Sequence, residues 1–139
     1  MTPLLASSYI DANYWIYWFD ERLPEHDLVN SAMQSAIENG VVVSTVTLME
    51  VAHYFRDLAP KILNEKMKTI LSLSTMTIKD FTSNILQSSI SYLSTYSRSG
   101  LGSRDCVIIA TMKEAGVNVL LTHDKAFKRI KGIKVIDDI

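Results

Sequence analysis

The chain has 139 residues, of which 47% are hydrophobic and 21% are charged, and its formal net charge is −1. This length and composition predict a single globular domain spanning residues 1–139, and the small net charge excludes a global basic field for nucleic acid. A single cysteine, Cys106, excludes an internal disulfide and a cysteine-rich zinc site.

The amino-terminal segment and the apolar runs bear on where the protein works. Residues 1–11 lack the basic segment of a signal peptide, and no apolar run has the length of a transmembrane helix. We therefore expect a cytoplasmic protein that has no membrane partner.

Strand and helix patterns alternate along the chain. β-branched runs such as Val41–Thr45 are typical of strands, and apolar residues at helical spacing, as from Leu28 to Ile37, indicate helices. The predicted strands are 4–11, 41–45, 75–79, 118–122 and 133–136. The predicted helices are 14–19, 24–39, 48–58, 60–71, 82–96 and 105–115, with a flexible loop at 97–102 and a helical turn at 126–130.

The segment Leu101–Phe127 combines a loop, a buried helix, a tight turn and a strand. Its helix is apolar nearly all round, as in a helix buried on most faces, and Gly116 can adopt the left-handed conformation that closes a helix. Asp105 opens this helix, and Asp124 stands just past the strand. The segment therefore delivers two carboxylates to neighbouring ends of buried elements.

The alternation predicts an α/β fold: a three-layer α/β/α sandwich with a mostly parallel central sheet. In such sheets the ligand lies beyond the carboxyl ends of the strands, where the strand order switches. Four acidic residues fall at such positions, namely Asp11, Glu50, Asp105 and Asp124. Carboxylates gathered in this way repel one another unless a cation joins them, and oxygen ligands suit Mg²⁺ or Mn²⁺.

Each acid also has a purely structural interpretation. Capping a helix requires neither burial nor convergence at one edge of the sheet, so the two interpretations differ in whether the carboxylates meet. They are also compatible, because both need an acid where a strand leads into a helix. The structural alternatives are helix caps at Asp11 and Asp124, a capping box of Thr47 with Glu50, and a helix-terminal charge at Asp105 behind a Ser103 cap.

Four short motifs occur in order on the expected elements. They are Ile10–Asn13 (IDAN), Ser44–Glu50 (STVTLME), Arg104–Thr111 (RDCVIIAT) and Leu120–Phe127 (LLTHDKAF). Each motif is weak alone, but the ordered set resembles the PIN domain family over essentially the whole chain. The departures from that pattern, a cysteine at position 106 and a histidine at position 123, do not touch the acids.

The resemblance implies a Mg²⁺- or Mn²⁺-dependent ribonuclease. The small size, without further domains, is similar to that of VapC-type toxins, which implies a small antitoxin protein as partner and a homodimer. The implied catalytic and metal-binding set is Asp11, Glu50, Asp105 and Asp124, with Asn13 and Thr122 in supporting positions.

Positive charge near the acids is the feature expected to hold RNA. Phosphate contacts of this kind give affinity without sequence information, and each basic residue alone is equally consistent with a solvated surface. The preference for RNA over DNA is implied by the resemblance alone. The expected substrate-binding residues are Lys125, Arg104, Lys128 and Arg129, within a basic run that continues to Lys131 and Lys134.

The first helix is unusually aromatic. Five of the residues from Tyr14 to Phe19 carry aromatic rings, which indicates a core or dimer contact rather than base stacking. We expect this helix to supply apolar surface for a homodimer, and Trp15 with Trp18 to form the anchoring pocket for an antitoxin.

Three other functions remain open at this point. A housekeeping ribonuclease would share every catalytic residue. A phosphate-accepting receiver domain also gathers aspartates at strand ends, but Asp11 is the only acid beside the first strand. A binding module that has lost catalysis would keep the fold, and the complete set of acids argues against it.

Overall fold

The computed structural model describes residues 7–139 and confirms the α/β prediction. The strands are β1 (Ser8–Ile10), β2 (Val41–Ser44), β3 (Met76–Lys79), β4 (Val119–Leu121) and β5 (Lys134–Ile136). The helices are α1 (Ala12–Phe19), α2 (His26–Asn39), α3 (Thr45–Tyr54), α4 (Pro60–Leu71), α5 (Ser83–Tyr96) and α6 (Ser103–Ala115).

The five strands form one parallel sheet in the order β3-β2-β1-β4-β5. The central strand β1 pairs with β2 on one side and β4 on the other, so that Tyr9 lies opposite both Val42 and Leu120. Helices cover this sheet as a three-layer α/β/α sandwich. The order differs from the 2-1-3-4-5 arrangement of receiver-type folds, which removes the structural basis of the receiver alternative.

Burial explains why the inner strands are apolar. All residues of β1 and β2 are buried, as expected for parallel strands covered on both faces, whereas the edge strands β3 and β5 are only partly covered. Among the helices, α1 packs against α2 and α3, and α5 packs against α6. Helix α6 is buried from Cys106 to Met112, which confirms that it lies inside the fold.

Most predicted boundaries lie within a few residues of those observed. Gly116 closes α6 in the left-handed conformation, with φ +70°, as predicted. Of the first predicted strand, positions 4–6 lie outside the described residues. The prediction of a flexible loop at 97–102 is wrong for its first three residues, because Ser97–Ser99 forms a 3-10 turn.

Two of the proposed helix caps are wrong. Helix α3 begins earlier than predicted, with Ser44 as its cap through a 3.1 Å hydrogen bond from the Val46 N–H, so Thr47 lies inside the helix. Helix α6 begins at Ser103 itself, which therefore does not cap it. In both cases a serine or threonine lies near the start of the helix. The preference of these residues for the cap position does not show which nearby residue occupies it.

The aromatic residues of α1 pack mainly inward. Tyr14 and Trp15 have no exposed surface, and the Trp15 indole N–H donates a 3.1 Å hydrogen bond to the Ile10 carbonyl. Tyr14 and Trp15 therefore belong to the core, and Trp15 cannot anchor a partner. Ile16, Tyr17, Trp18 and Phe19 are only partly buried, and a dimer contact through this helix stays a prediction. Among residues 7–139 the helices are too short or too polar to cross a membrane.

Candidate functional site

The four predicted acids lie on elements that meet at the carboxyl edge of the sheet. Asp11 follows β1 directly, Glu50 lies in α3 after β2, Asp105 lies in the first turn of α6, and Asp124 follows β4. The strand order switches between β1 and β4, because β2 and β3 extend from one side of β1 while β4 and β5 extend from the other. This is the position at which parallel sheets bind their ligands.

Asp11 is the most deeply buried of these acids, with 7% of its surface exposed. One carboxylate oxygen accepts a 2.7 Å hydrogen bond from the Ala12 N–H, which makes Asp11 the cap of α1. The other oxygen accepts a 2.7 Å hydrogen bond from the Thr122 hydroxyl. Asp11 therefore caps α1, as the structural alternative predicted, and its second carboxylate oxygen is held by Thr122, which follows β4.

Asn13 and Thr122 connect the ends of β1 and β4. The Thr122 hydroxyl donates to Asp11 and accepts 3.0 Å and 3.3 Å hydrogen bonds from the Asp124 N–H and the Asn13 amide. The Asn13 side-chain oxygen in turn accepts the His123 N–H at 3.3 Å. Through these hydrogen bonds Asn13 and Thr122 connect the segments that carry Asp11 and Asp124, and their supporting role in catalysis stays a prediction.

Glu50 is held by an arginine. Its Oε2 lies 3.0 Å from Nη1 of Arg104, and the two side chains are 23% and 70% exposed. Among the predicted substrate-binding residues, Arg104 therefore contacts an acid in the absence of substrate, which the sequence did not indicate.

Asp105 and Asp124 are engaged by backbone donors. Asp105 accepts a 3.0 Å hydrogen bond from the Gly102 N–H, and Asp124 accepts one of 3.0 Å from the Ala126 N–H. Asp124 caps the 3-10 turn Lys125–Arg129, so the capping interpretation holds there too. A backbone N–H close in sequence therefore helps to orient each of these two carboxylates.

Burial and the charges of neighbouring acids shift the pKa values in this group. Burial raises the pKa of Asp11, and the charges of Asp105 and Asp124 raise it further, against the lowering effect of the Thr122 hydroxyl and a backbone N–H. Burial likewise raises the pKa of Glu50, to which Asp11 and Asp105 add. The pKa of Asp105 is raised by burial and by the charge of Asp124. A neighbouring acid therefore contributes to the raised pKa of Asp11, Glu50 and Asp105 alike, and a shared metal-binding role of the four acids stays a prediction.

The donor chemistry of this group fits a hard divalent cation. Oxygen ligands from several carboxylates are what Mg²⁺ and Mn²⁺ bind in proteins, and a cation would relieve the repulsion. Among residues 7–139, no three Asp, Glu, His or Cys side chains are already gathered closely enough to hold an ion. An ion at this site would compete for the carboxylates with the hydrogen bonds that they make.

The basic run after Asp124 is partly engaged by the carboxyl-terminal segment. Lys125 is exposed, whereas Nζ of Lys128 lies 3.6 Å from a carboxylate oxygen of Asp137. The same carboxylate lies 3.0 Å from Nδ1 of His123. Arg129 lies beside the loop at 97–102, with a 3.5 Å contact to the carbonyl of Ser99. Lys125, Lys128 and Arg129 are all exposed, and among residues 7–139 the Lys125 side chain, unlike the other two, makes no salt bridge or hydrogen bond.

An apolar groove of about 700 Å³ adjoins Glu50. Its most exposed apolar member is Met49, with 70% of its surface open to solvent. The sequence motifs did not indicate this groove, because its residues come mainly from three separate helices. It is lined by Ala12, Ile16, Val46, Met49, Glu50, His53, Tyr54, Arg56 and Arg104.

A buried tyrosine that sequence reasoning missed supports the start of α3. The Tyr9 hydroxyl accepts a 3.0 Å hydrogen bond from the Ser44 N–H and shares a 2.6 Å hydrogen bond with the Thr47 hydroxyl. These contacts fix the first turn of the helix that carries Glu50. The only available signal was a tyrosine within a buried strand, where its hydroxyl needs a partner.

We expect Tyr9→Phe to lower the free energy of unfolding by about 1–3 kcal/mol, because it leaves the buried Ser44 N–H without an acceptor. Urea denaturation measures the change. Tyr14→Phe is the matched control: its ring is equally buried, but its hydroxyl accepts from Asp138 at the end of the chain. Equal denaturation midpoints for Tyr9→Phe and the parent protein would contradict this role.

Comparison with protein families and solved structures gives a consistent result. The PIN domain family model matches residues 8–133. The comparison with curated proteins found no match.

The structural neighbours include several toxins and toxin–antitoxin complexes. A toxin–antitoxin complex from Klebsiella pneumoniae is 25% identical, with a TM-score of 0.69, over 92% of this chain and 96% of that one. VapC20 of Mycobacterium tuberculosis, described as a sarcin-ricin loop cleaving toxin, is 15% identical, with a TM-score of 0.75, over 88% and 93% of the two chains. A DNA-bound VapBC from Salmonella typhimurium is 19% identical, with a TM-score of 0.73, over 97% and 100%.

Proposed function

The chain belongs to the PIN domain family, and from this premise we propose that it is a divalent-metal-dependent endoribonuclease, the toxin of a VapBC-type pair. The observation that carries the proposal is the group of mutually repelling carboxylates at the switch point of the sheet. The toxin assignment is supported by neighbours that are toxins or toxin–antitoxin complexes. RNA as substrate is supported by the neighbour described as cleaving the sarcin-ricin loop.

The chain's own residues prepare the site for phosphodiester hydrolysis. Asp11 is locked by Thr122 and by a backbone N–H, so its carboxylate keeps one orientation. Glu50, Asp105 and Asp124 approach from three other segments, and they are the other side chains that would hold Mg²⁺ or Mn²⁺. When bound, such an ion supplies positive charge beside the phosphate and acidifies a water molecule. Lys125, which is exposed and follows Asp124 directly, is the side chain that we expect to contact a neighbouring phosphate.

The direct test is incubation of the purified protein with a mixed RNA pool in Mg²⁺, Mn²⁺ or EDTA. We expect cleavage with either metal and none with EDTA. Growth arrest on expression, relieved by a neighbouring gene, would distinguish a toxin from a housekeeping nuclease. Absence of cleavage in all metals would contradict the proposed activity.

The toxin proposal includes a small protein partner that blocks the site. The groove beside Glu50 replaces the predicted Trp15 and Trp18 pocket as its docking surface, because Trp15 is fully buried. Apolar side chains of the partner would cover Ile16 and Met49. A partner arginine would then reach the acids, where a guanidinium can satisfy carboxylates in place of a metal.

We also propose a homodimer, formed by a surface other than α1. Helix α5 exposes Leu86, Ile90 and Leu93, and Phe81 just before it is also exposed. Apolar residues on one helix face at this spacing are typical of a contact with another helix. This apolar face of α5 is therefore the expected dimer contact.

We expect the parent protein to sediment as a dimer at micromolar concentration and Ile90→Glu to sediment as a monomer, because the charge would be buried without a partner at the contact. Ile62→Glu is the matched control, since Ile62 is 45% exposed on α4, compared with 56% for Ile90. A monomeric parent protein, or an Ile90→Glu variant that stays dimeric, would contradict the proposed contact.

A further inference from the structure

Arg104 has an unusual position for a residue expected to bind substrate. It lies in the first turn of α6, next to Asp105, and its side chain crosses to Glu50 on α3. The guanidinium is 70% exposed, while the carboxylate it contacts is 23% exposed. A largely solvated cation therefore covers one of the four acids from outside.

The partners of the other three acids are neutral. Asp11, Asp105 and Asp124 accept hydrogen bonds from backbone N–H groups, and Asp11 also accepts one from a hydroxyl. Within residues 7–139, Arg104 is the cation that forms a salt bridge with a member of this group. A divalent cation that uses Glu50 must therefore compete with a positive charge at that carboxylate and with neutral donors at the others.

We propose that Arg104 couples metal binding to RNA binding: it holds Glu50 in the metal-free protein and turns to an RNA phosphate when a divalent cation takes Glu50. Arg104 is thus a positioning residue for Glu50 before it becomes a phosphate ligand. This inference rests on the proposed ribonuclease function and adds an order of events to it.

The geometry allows the exchange. An exposed ion pair of this kind is weak, giving roughly a one-and-a-half- to fivefold preference for the paired state. Arg104 also lines the groove beside Glu50, so its side chain has open space next to the carboxylate that it contacts. A guanidinium binds phosphate in a fork geometry, which offers Arg104 a replacement for the carboxylate it gives up.

The first experiment measures Mn²⁺ affinity without RNA, from the electron paramagnetic resonance signal of free Mn²⁺. We expect Arg104→Gln to bind Mn²⁺ about two- to fivefold more tightly than the parent protein, because the competitor at Glu50 is gone. Arg56→Gln is the matched control: Arg56 lines the same groove but bonds to the His53 carbonyl instead of an acid. Equal affinities for Arg104→Gln and the parent, or equal gains in both variants, would overturn the proposal.

The second experiment measures binding of a short mixed-sequence single-stranded RNA in EDTA, as a function of salt. Glu50→Gln frees Arg104, so we expect the slope of log affinity against log salt to steepen by about 0.7, the increment for one more phosphate contact. Asp27→Asn removes a similar charge from an exposed acid outside the site without freeing an arginine, and it should leave the slope unchanged. Adding Arg104→Gln to Glu50→Gln should abolish the gain, and a gain that persists would overturn the proposal.

Different results would contradict the coupling by Arg104 and the ribonuclease function on which it rests. If the parent protein cleaves RNA with Mn²⁺ but Arg104→Gln shows unchanged Mn²⁺ affinity, the coupling is wrong and the ribonuclease function stands. If the parent protein binds no Mn²⁺ and cleaves no RNA, both are wrong.

Discussion

Asp11→Asn is expected to reduce metal-dependent RNA cleavage by at least about a hundredfold, because a divalent cation at the phosphate supplies several kcal/mol of transition-state stabilisation. Asp11 is the buried member of the group, held by two 2.7 Å hydrogen bonds. An asparagine keeps its size and its ability to cap α1, but removes one negative charge from the metal site. Cleavage of an RNA pool in Mn²⁺ measures the loss.

Asp105→Asn should show a comparable loss, since it removes another carboxylate of the proposed metal site. Asp27→Asn is a suitable control, because Asp27 is an exposed acid in the first turn of α2 and has no contact with the site. Full activity in Asp11→Asn or Asp105→Asn would remove that residue from the proposed metal-binding set.

The same Asp11→Asn variant should be more stable than the parent protein when EDTA is present. The raised pKa of Asp11 means that the folded state disfavours its charged form, so this residue weakens the fold at neutral pH. We therefore expect the melting temperature at pH 7 to rise when asparagine removes this buried charge.

The pH dependence of this difference has a definite sign. A carboxyl whose folded-state pKa is raised contributes its stability at low pH and loses it as the pH rises through that raised pKa. The advantage of Asp11→Asn should therefore shrink as the pH falls and vanish below the ordinary range of aspartate. A melting-temperature difference that grows on acidification would contradict the assigned shift.

The second large effect concerns the proposed protein partner. We expect a small basic-tailed protein, encoded beside this chain, to suppress RNA cleavage at saturating concentration, and excess Mg²⁺ to weaken its binding. Met49→Asp should weaken inhibition by about tenfold or more, because it places a charge in the apolar groove where an anchoring side chain would be buried. Cleavage at increasing partner concentration measures the inhibition constant.

Two controls make this prediction specific to the groove. Ile62→Asp places the same charge on α4, away from the groove, and should leave inhibition unchanged. Met49→Leu should retain inhibition, since it keeps an apolar side chain of similar volume. If Met49→Asp is inhibited as fully as the parent protein, the partner does not use this groove.

The sequence was sufficient to predict the order of elements and the position of each acid. β-branched runs and helical spacing identified all five strands and six helices, because each was long or apolar enough to dominate its local pattern. The acids could be assigned to one edge because parallel strands place their carboxyl ends together. The roles of Asp11, Glu50, Asp105 and Asp124 in catalysis remain predictions.

What the sequence could not predict are contacts between segments far apart in the chain. Arg104 meets Glu50 across 54 positions, and Tyr9 meets Thr47 across 38. The composition of α1 likewise showed how much apolar surface the helix carries, but not that Tyr14 and Trp15 are fully buried in the folded chain. Burial is a property of the assembled layers.

The pairing of β1 with β4 has a consequence for synthesis of the protein on the ribosome. Asp11 is made early, but its Thr122 partner comes 111 positions later, and until β4 exists the central strand lacks one of its two neighbours. A nascent chain therefore cannot complete the acidic site before β4 has been translated. For the proposed ribonuclease, we expect this order to keep unfinished chains harmless to the ribosome that is making them, and a premature stop before β4 to yield an inert product.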